Sequence, residues 1–138
     1  MPDLTRFGVS IETELLERFD SMTGARGYRN RSEAIRDLMR ERLVEEGARD
    51  RRVRAFAVLS IVYDHHARDL ERRLTDLQHD HYHAVLSATH VHIDHDNCLE
   101  VVLLRGKVGE IRDLAEAVAT MKGVKHSKLI FTSEEAVI

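Results

Sequence analysis

His90 and His92 stand two residues apart, and Cys98 follows across the polar turn Asp94-His95-Asp96-Asn97. On a strand, side chains two apart leave the same face, so both imidazoles point one way. Two imidazoles and a thiolate form a borderline-to-soft donor set, suited to Ni, Cu, Zn or Co rather than Mg or Ca. Parity is the condition on this reading. A simple four-residue loop pairing Ile93 with Cys98 would turn Cys98 away from His92, so ligation requires an irregular loop or a cysteine still within the turn. A fourth donor could come from His79, His81 or His83, and periodicity does not choose among them. Of nine histidines, all but His126 lie between His65 and His95. His65, His66 and His126, taken singly, read as surface or satisfied core residues, and Asp69, Glu71 and Asp76 as a solvated helix face. Zinc would ask these donors for a tetrahedron, whereas Ni(II) and Cu(II) accept a square plane.

The elements that must position these donors fall into two rhythms. Residues 54–63 form an apolar β-rich run, and a helix follows with Leu70, Leu74 and Leu77 aligned. Residues 84–93 and 98–104 read as two strands joined by the turn. A helix from about Glu110 to Met121 carries Ile111, Leu114, Ala115 and Val118; Gly123 ends it, and Val124–Thr132 is a last strand. The order βαββαβ is the ferredoxin-like split-βαβ plan.

Upstream the pattern differs. Phe7, Val9 and Ile11 alternate with Arg6, Gly8 and Ser10 over residues 5–11, the period of a strand. Helical spacing then takes over with Leu15, Leu16, Phe19 and Met22. Asn30 followed by Glu33 fits a capping box opening a second helix, striped by Ile35, Leu38, Met39 and Leu43. A strand–helix–helix unit of this size cannot bury a core alone. It is expected to dimerise, pairing two strands and burying Phe7, Val9 and Ile11 against the helices. The expected division is a βαα domain over 1–46, a polar linker over 47–53 and the split-βαβ domain over 54–138, an α+β chain.

Two paired strands make a ribbon that fits the DNA major groove. Arg6, Gly8 and Ser10 would face the bases, Arg6 by bidentate pairing with guanine. The helix start at Asn30, Arg31 and Ser32 would hold a phosphate. The strand–helix–helix order, with Gly27-Tyr28-Arg29-Asn30-Arg31-Ser32-Glu33-Ala34-Ile35-Arg36, resembles the ribbon–helix–helix family of transcription factors over residues 5 to about 45.

The chain of 138 residues has a net charge of −3, a poor signature for nucleic-acid binding unless charge is unevenly placed. Through Arg54 every basic residue is arginine and the segment is close to neutral; the remainder is acidic. Cys98 is the only cysteine, which excludes an intrachain disulfide. No apolar run reaches the length of a bilayer span, and Met-Pro-Asp-Leu-Thr-Arg lacks the features of a signal peptide. A cytoplasmic protein with no membrane partner is expected.

Taken together, the halves resemble the nickel-responsive regulators of the NikR family, from about Arg6 to Thr132. The segments that carry the resemblance are Asn30-Arg31-Ser32-Glu33-Ala34-Ile35-Arg36-Asp37, Leu77-Gln78-His79, and His90-Val91-His92-Ile93-Asp94-His95-Asp96-Asn97-Cys98-Leu99-Glu100. The resemblance implies an ACT-like second domain and a homotetramer, a dimer of dimers bound to double-stranded operator DNA. It implies one square-planar Ni(II) per chain, held by His90, His92, Cys98 and His79 of a neighbouring chain. Tyr63, His65 and Glu100 would support the ligands, and Glu33 and Asp37 match positions used for a second cation between the domains. The implied output is repression of nickel uptake. Asp80, Tyr82 and Gly8 depart from some relatives, which leaves additional nickel sites and the operator sequence open.

Three rival readings are defined by the same residues. One is a regulator of the same architecture sensing copper, zinc or cobalt. Another is a DNA binder whose βαββαβ domain takes a small molecule, which the ligand trio argues against. The third, a metalloenzyme, needs an open coordination position and a nearby base; four protein ligands close the first, and His95 is a weak candidate for the second.

Overall fold

The computed structural model describes residues 3–134. Residues 1–2 and 135–138, the outer ends of the two expected domains, lie outside the described residues. The chain separates into two compact units, one running through Leu43 and the other beginning at Val44.

The first unit is built on two helices, α1 (Thr13–Ala25) and α2 (Arg31–Gly47, which continues into the second unit). Gly27, at φ +83°, makes the turn between them, a left-handed conformation that costs glycine little. The Asn30 side chain accepts a hydrogen bond from the Glu33 amide at 2.9 Å, capping α2 where the sequence placed its start. Residues 3–12 differ from expectation: they form no strand within this chain. A strand must hand its amides and carbonyls to a neighbour, and among the described residues no segment of the unit pairs with them. Phe7 and Val9, expected to be buried, are 72% and 66% exposed. They line a groove with Leu4, Ile35 and Met39. Among the described residues of this unit only Thr23 and Ala34 are fully buried, while Leu15, Met22, Leu38, Met39 and Leu43 remain exposed. The apolar stripes of both helices thus lack a core of their own.

The second unit is self-sufficient. Its elements are β1 (Arg54–Asp64), α3 (Leu70–Asp80), β2 (Val85–His92), β3 (Asn97–Lys107), α4 (Val108–Ala119) and β4 (Val124–Ser133). The strands form one antiparallel sheet in the order β2-β3-β1-β4, the split-βαβ arrangement read from the sequence. Alternate residues of β1, Ala55, Ala57, Leu59, Ile61 and Tyr63, are buried on one face. They pack with Leu70 and Leu74 of α3 and Ile111, Leu114, Ala115 and Val118 of α4. The opposite face is apolar and open: Val58, Val91, Leu103 and Ile130 are exposed on it. Of the polar linker expected over 47–53, Gly47 ends α2, and residues of 48–53 lie against the start of α4. Arg51 donates to the Gly109 carbonyl at 3.2 Å and the Asp113 carboxylate at 2.8 Å, and Arg112 donates to the Ala48 carbonyl at 2.8 Å.

Candidate metal centre and nucleic-acid interface

Strand register decides whether the donors meet. β2 pairs with β3 so that His92 faces Cys98 and His90 faces Glu100; β1 pairs with β3 so that Tyr63 faces Cys98 and Ile61 faces Glu100. Directly opposed residues share a face. His90, His92, Cys98, Glu100 and Tyr63 therefore all project to the helix-covered side. The parity condition is met because the connection is one residue longer than the simple loop, spanning 93–97. Asp94 shapes it: its Oδ1 accepts from the Asp96 and Asn97 amides, both at 2.8 Å, and both its oxygens accept from the Asn97 side chain at 3.1 Å. These bonds hold the Asp94 carboxyl below its ordinary 3.8, with the Asn97 side chain as the largest cause.

Cys98 is a free thiol with 0% exposure. Burial, then the Glu71 carboxylate, push it above its ordinary 9.0. Its Sγ lies 3.5 Å from His92 Nδ1 and 3.4 Å from His65 Nδ1. His65, His92 and Cys98 each offer a donor atom within 4.8 Å of the others, as do Glu71, His90 and Cys98. Tyr63, 1% exposed, places its hydroxyl 3.1 Å from His90 Nδ1 and donates to Glu71 Oε1 at 3.5 Å. Burial and then the Glu71 charge raise the Tyr63 pKa, so the phenol keeps its proton. With that proton aimed at Glu71, the phenol oxygen is free to accept from His90 Nδ1–H. This tautomer leaves the Nε2 lone pair available to a metal. Glu100 Oε1 accepts from Gln78 Nε2 at 2.8 Å.

The structure thus brings together four of the residues singled out around a metal, His90, His92, Cys98 and His65, with Tyr63 and Glu100 behind them. It does not bring His79 to them: that residue is exposed at the end of α3, beside Thr75, Gln78, Tyr82 and Val85. Glu71, read as part of a solvated face, is exposed as expected but also reaches the donor cluster, with Oε1 3.4 Å from His65 Nδ1. Glu71 and Gln78 are seven residues apart and flank Leu74. That helical spacing is the signal that could have placed both on the site-facing stripe. The donor chemistry fits a late first-row divalent ion: two imidazoles and a thiolate, with further nitrogen and carboxylate groups in reach.

The candidate DNA residues stand apart from this cluster. Arg6, Gly8 and Ser10 are exposed in the unpaired segment 3–12, and the space at the Gly8 Cα is open. Asn30 is committed to its cap. Arg31 makes a bidentate ion pair with Asp20 at 2.7–2.8 Å, and Ser32 is exposed in the groove beside Phe7. Asp37 accepts from the Tyr28 hydroxyl and from Arg40, both at 2.9 Å, and Glu33 lines the same hollow.

A two-helix module with an apolar arm and a split-βαβ unit bearing a His/Cys cluster define an α+β chain of two compact units. Residues 5–46 match the family described as "Ribbon-helix-helix protein, copG family", and residues 56–132 match the "NikR C terminal nickel binding domain". A protein of Solibacter usitatus is 48% identical over 136 residues, covering 99% of this chain and 98% of its own. One of Trichlorobacter lovleyi is 50% identical over 133 residues, 96% of each chain. One of Thermococcus onnurineus is 50% identical over 134 residues, 94% of each. All three carry the name "Putative nickel-responsive regulator". The chain belongs to the NikR family of transcriptional regulators, and this family is not one of enzymes. An uncharacterized protein of Thermotoga maritima has the same fold over 58% of this chain and 99% of its own, with a TM-score of 0.53 and 17% identity. Among the described residues no helix is long and apolar enough to cross a membrane.

Proposed function

We propose that this chain is a nickel-responsive, sequence-specific DNA-binding regulator, cytoplasmic, that represses nickel uptake genes when Ni(II) is bound. The observation that carries the reading is the register pairing His92 with Cys98, which puts His90, His92 and a buried thiol on one face. His90, His92 and Cys98 would hold one ion per chain, with His79 supplied by a neighbouring copy. The exposed position of His79, outside its own chain's donor group, supports that assignment. A bound Ni(II) would supply a cross-link between these donors and a neighbouring copy's imidazole. Tyr63 orients His90, Gln78 holds Glu100 behind it, and His65 flanks Cys98.

Two unpartnered apolar surfaces support a homotetramer built as a dimer of dimers. The groove of Leu4, Phe7, Val9, Ile35 and Met39 suits the strand of a second copy, which would complete the βαα domain over 1–46. The open sheet face with Val58, Val91, Leu103 and Ile130 suits pairing of the domain over 54–138. In the completed ribbon Arg6, Gly8 and Ser10 would face the major groove of double-stranded DNA, and the α2 start at Asn30, Arg31 and Ser32 would meet a phosphate. Glu33 and Asp37 are assigned as the family's second cation position. Asp37 would have to exchange its Tyr28 and Arg40 partners for that ion.

The test is a DNA-binding titration at fixed salt with promoter fragments. Chelated protein is compared with equal additions of nickel, zinc, copper and cobalt, because phosphate contacts make affinity strongly salt-dependent. Nickel alone is expected to give tight, sequence-selective binding, and Cys98→Ala to abolish the nickel dependence. Equal binding in chelator, or a Cys98→Ala variant that responds like wild type, would overturn the reading. A coupling of about 1–3 kcal/mol, typical between two sites, corresponds to about 5–150-fold in DNA affinity.

A further inference from the structure

The first turn of α3 carries to the thiolate site a carboxylate that the four-ligand assignment leaves unused. Leu70 and Leu74 are anchored in the core, each 1% exposed, and Glu71 follows Leu70 at the rim of that stripe. Its side chain is half-exposed, yet Oε1 reaches the donor cluster. Glu71, His90 and Cys98 each offer a ligating atom, all within 4.8 Å of one another. The contacts of Oε1 with His65 Nδ1 and the Tyr63 hydroxyl are long, 3.4 and 3.5 Å, where a well-formed bond to a carboxylate measures about 2.5–2.9 Å. Glu100, by contrast, is committed: its Oε1 accepts from Gln78 Nε2 at 2.8 Å. Glu71 is therefore a loosely held carboxylate facing an imidazole and a buried thiol.

We propose, on the reading that His90, His92 and Cys98 are ligands, that Glu71 completes a four-donor set with them inside one chain, so that a tetrahedral ion is held before a neighbouring copy's His79 is engaged. His92 already lies beside the thiol, with Nδ1 3.5 Å from Cys98 Sγ. Donors about 2.0–2.3 Å from one ion stand about 3.3–3.7 Å apart in a tetrahedron, so the spread at Glu71 has to close by about an ångström. Rotation of a half-exposed glutamate side chain closes it without moving Leu70 or Leu74. Two imidazoles, a thiolate and a carboxylate suit Zn(II) or Co(II) in a tetrahedron, whereas a square plane completed by a third imidazole leaves Glu71 out. Glu71 thus separates a one-chain coordination mode from the two-chain plane.

The experiment is a Co(II) titration of the full chain carrying His79→Ala, which removes the neighbour's imidazole, followed by absorption and by bound metal per chain. This variant is expected to bind one Co(II) per chain, with thiolate-to-metal charge transfer and the ligand-field bands of a tetrahedral ion. Adding Glu71→Ala should weaken binding more than about tenfold, since losing even an outer-shell partner costs that much. It should also shift the ligand-field bands, as water takes the place of a donor. Adding Tyr63→Phe or His65→Ala should leave those bands where they are. Glu71 is exposed, and circular dichroism reports that the fold is retained. Bands unmoved by Glu71→Ala overturn the proposal, whether or not affinity falls, because a residue that only positions others would leave them in place. A band shift caused by His65→Ala instead, or a His79→Ala chain that takes up no cobalt, also overturns it. Charge transfer in wild type and its loss in Cys98→Ala report separately on the thiolate site, so failure of that reading is not mistaken for failure of this one.

Discussion

Replacing Tyr63 by Phe would separate the hydroxyl's role at the metal centre from the ring's role in the core. The ring is almost wholly buried and Phe keeps its shape, so packing with Leu70 and Leu74 should survive. What is lost is the contact at 3.1 Å to His90 Nδ1 and the longer one at 3.5 Å to Glu71. A hydrogen bond of the first kind contributes about 0.5–1.5 kcal/mol net. For a domain of this size, that lowers the melting temperature of the metal-free protein by about 2–12 °C. The effect on metal binding should be larger. Without the phenol oxygen, His90 has no fixed tautomer and its Nε2 lone pair is no longer presented, a loss of about 10–100-fold in affinity. Nickel affinity would be measured by chelator competition, alongside thermal melts with and without metal. A variant that melts lower but binds nickel as wild type does would refute the reasoning and leave Tyr63 a core residue only.

Other perturbations test other parts of the chain. Gly123 sits at φ +100°, and a Cβ there would meet the Ala67 Cβ at 2.6 Å; Gly123→Ala should cost about 2–4 kcal/mol through strain and overpacking, read by urea unfolding. Its carbonyl accepts from the Asp64 amide at 2.9 Å, so the turn carrying His65 and His66 should shift with it. Asp94 is held below its ordinary 3.8. Its contribution to the loop is therefore complete above the ordinary aspartate range and is lost as pH falls through the lowered folded value. NMR of the Asn97 side-chain amide should show the loop loosening only below about pH 4, and Asp94→Ala should show it at neutral pH. Phe7→Ala removes about 1.5–3 kcal/mol of burial from each chain of a ribbon-paired dimer. Sedimentation should show that dimer weakened on the order of 100-fold or more.

Much of the second unit was legible because its period-two and helical patterns alternate cleanly and each element buries one face. Val85–His92, Asn97–Lys107 and Val124–Ser133 fall within a few residues of expectation. The site was legible in its donors but not in its register. Whether His92 opposes Cys98 depends on one residue of loop length, and that residue is set by the Asp94 side chain, which no periodicity reports. Glu71 escaped because its charge reads as solvated, although its place one residue after Leu70 puts it at the rim of the buried stripe. At the other end of the chain Phe7, Val9 and Ile11 alternate with the period of a strand, yet residues 3–12 form none within this chain. A strand's hydrogen bonds belong to two segments, and a single chain supplies one.

The position of β2 in the sheet bears on how metal sensing and folding can change independently. It is an edge strand, bonded only to β3, and every residue from Leu86 to His92 is exposed. On the donor-bearing face of this strand, substitutions disturb little packing within the chain, so imidazoles can be gained, lost or moved at small cost to its stability. The core meanwhile rests on β1, β3 and the two helices. A rim that tolerates change around an interior that does not gives such a scaffold room to alter its ligand chemistry without being rebuilt. Cys98 is the exception: buried on β3, it ties the donor set to the interior, and it is the one donor that could not be replaced without the fold registering the change.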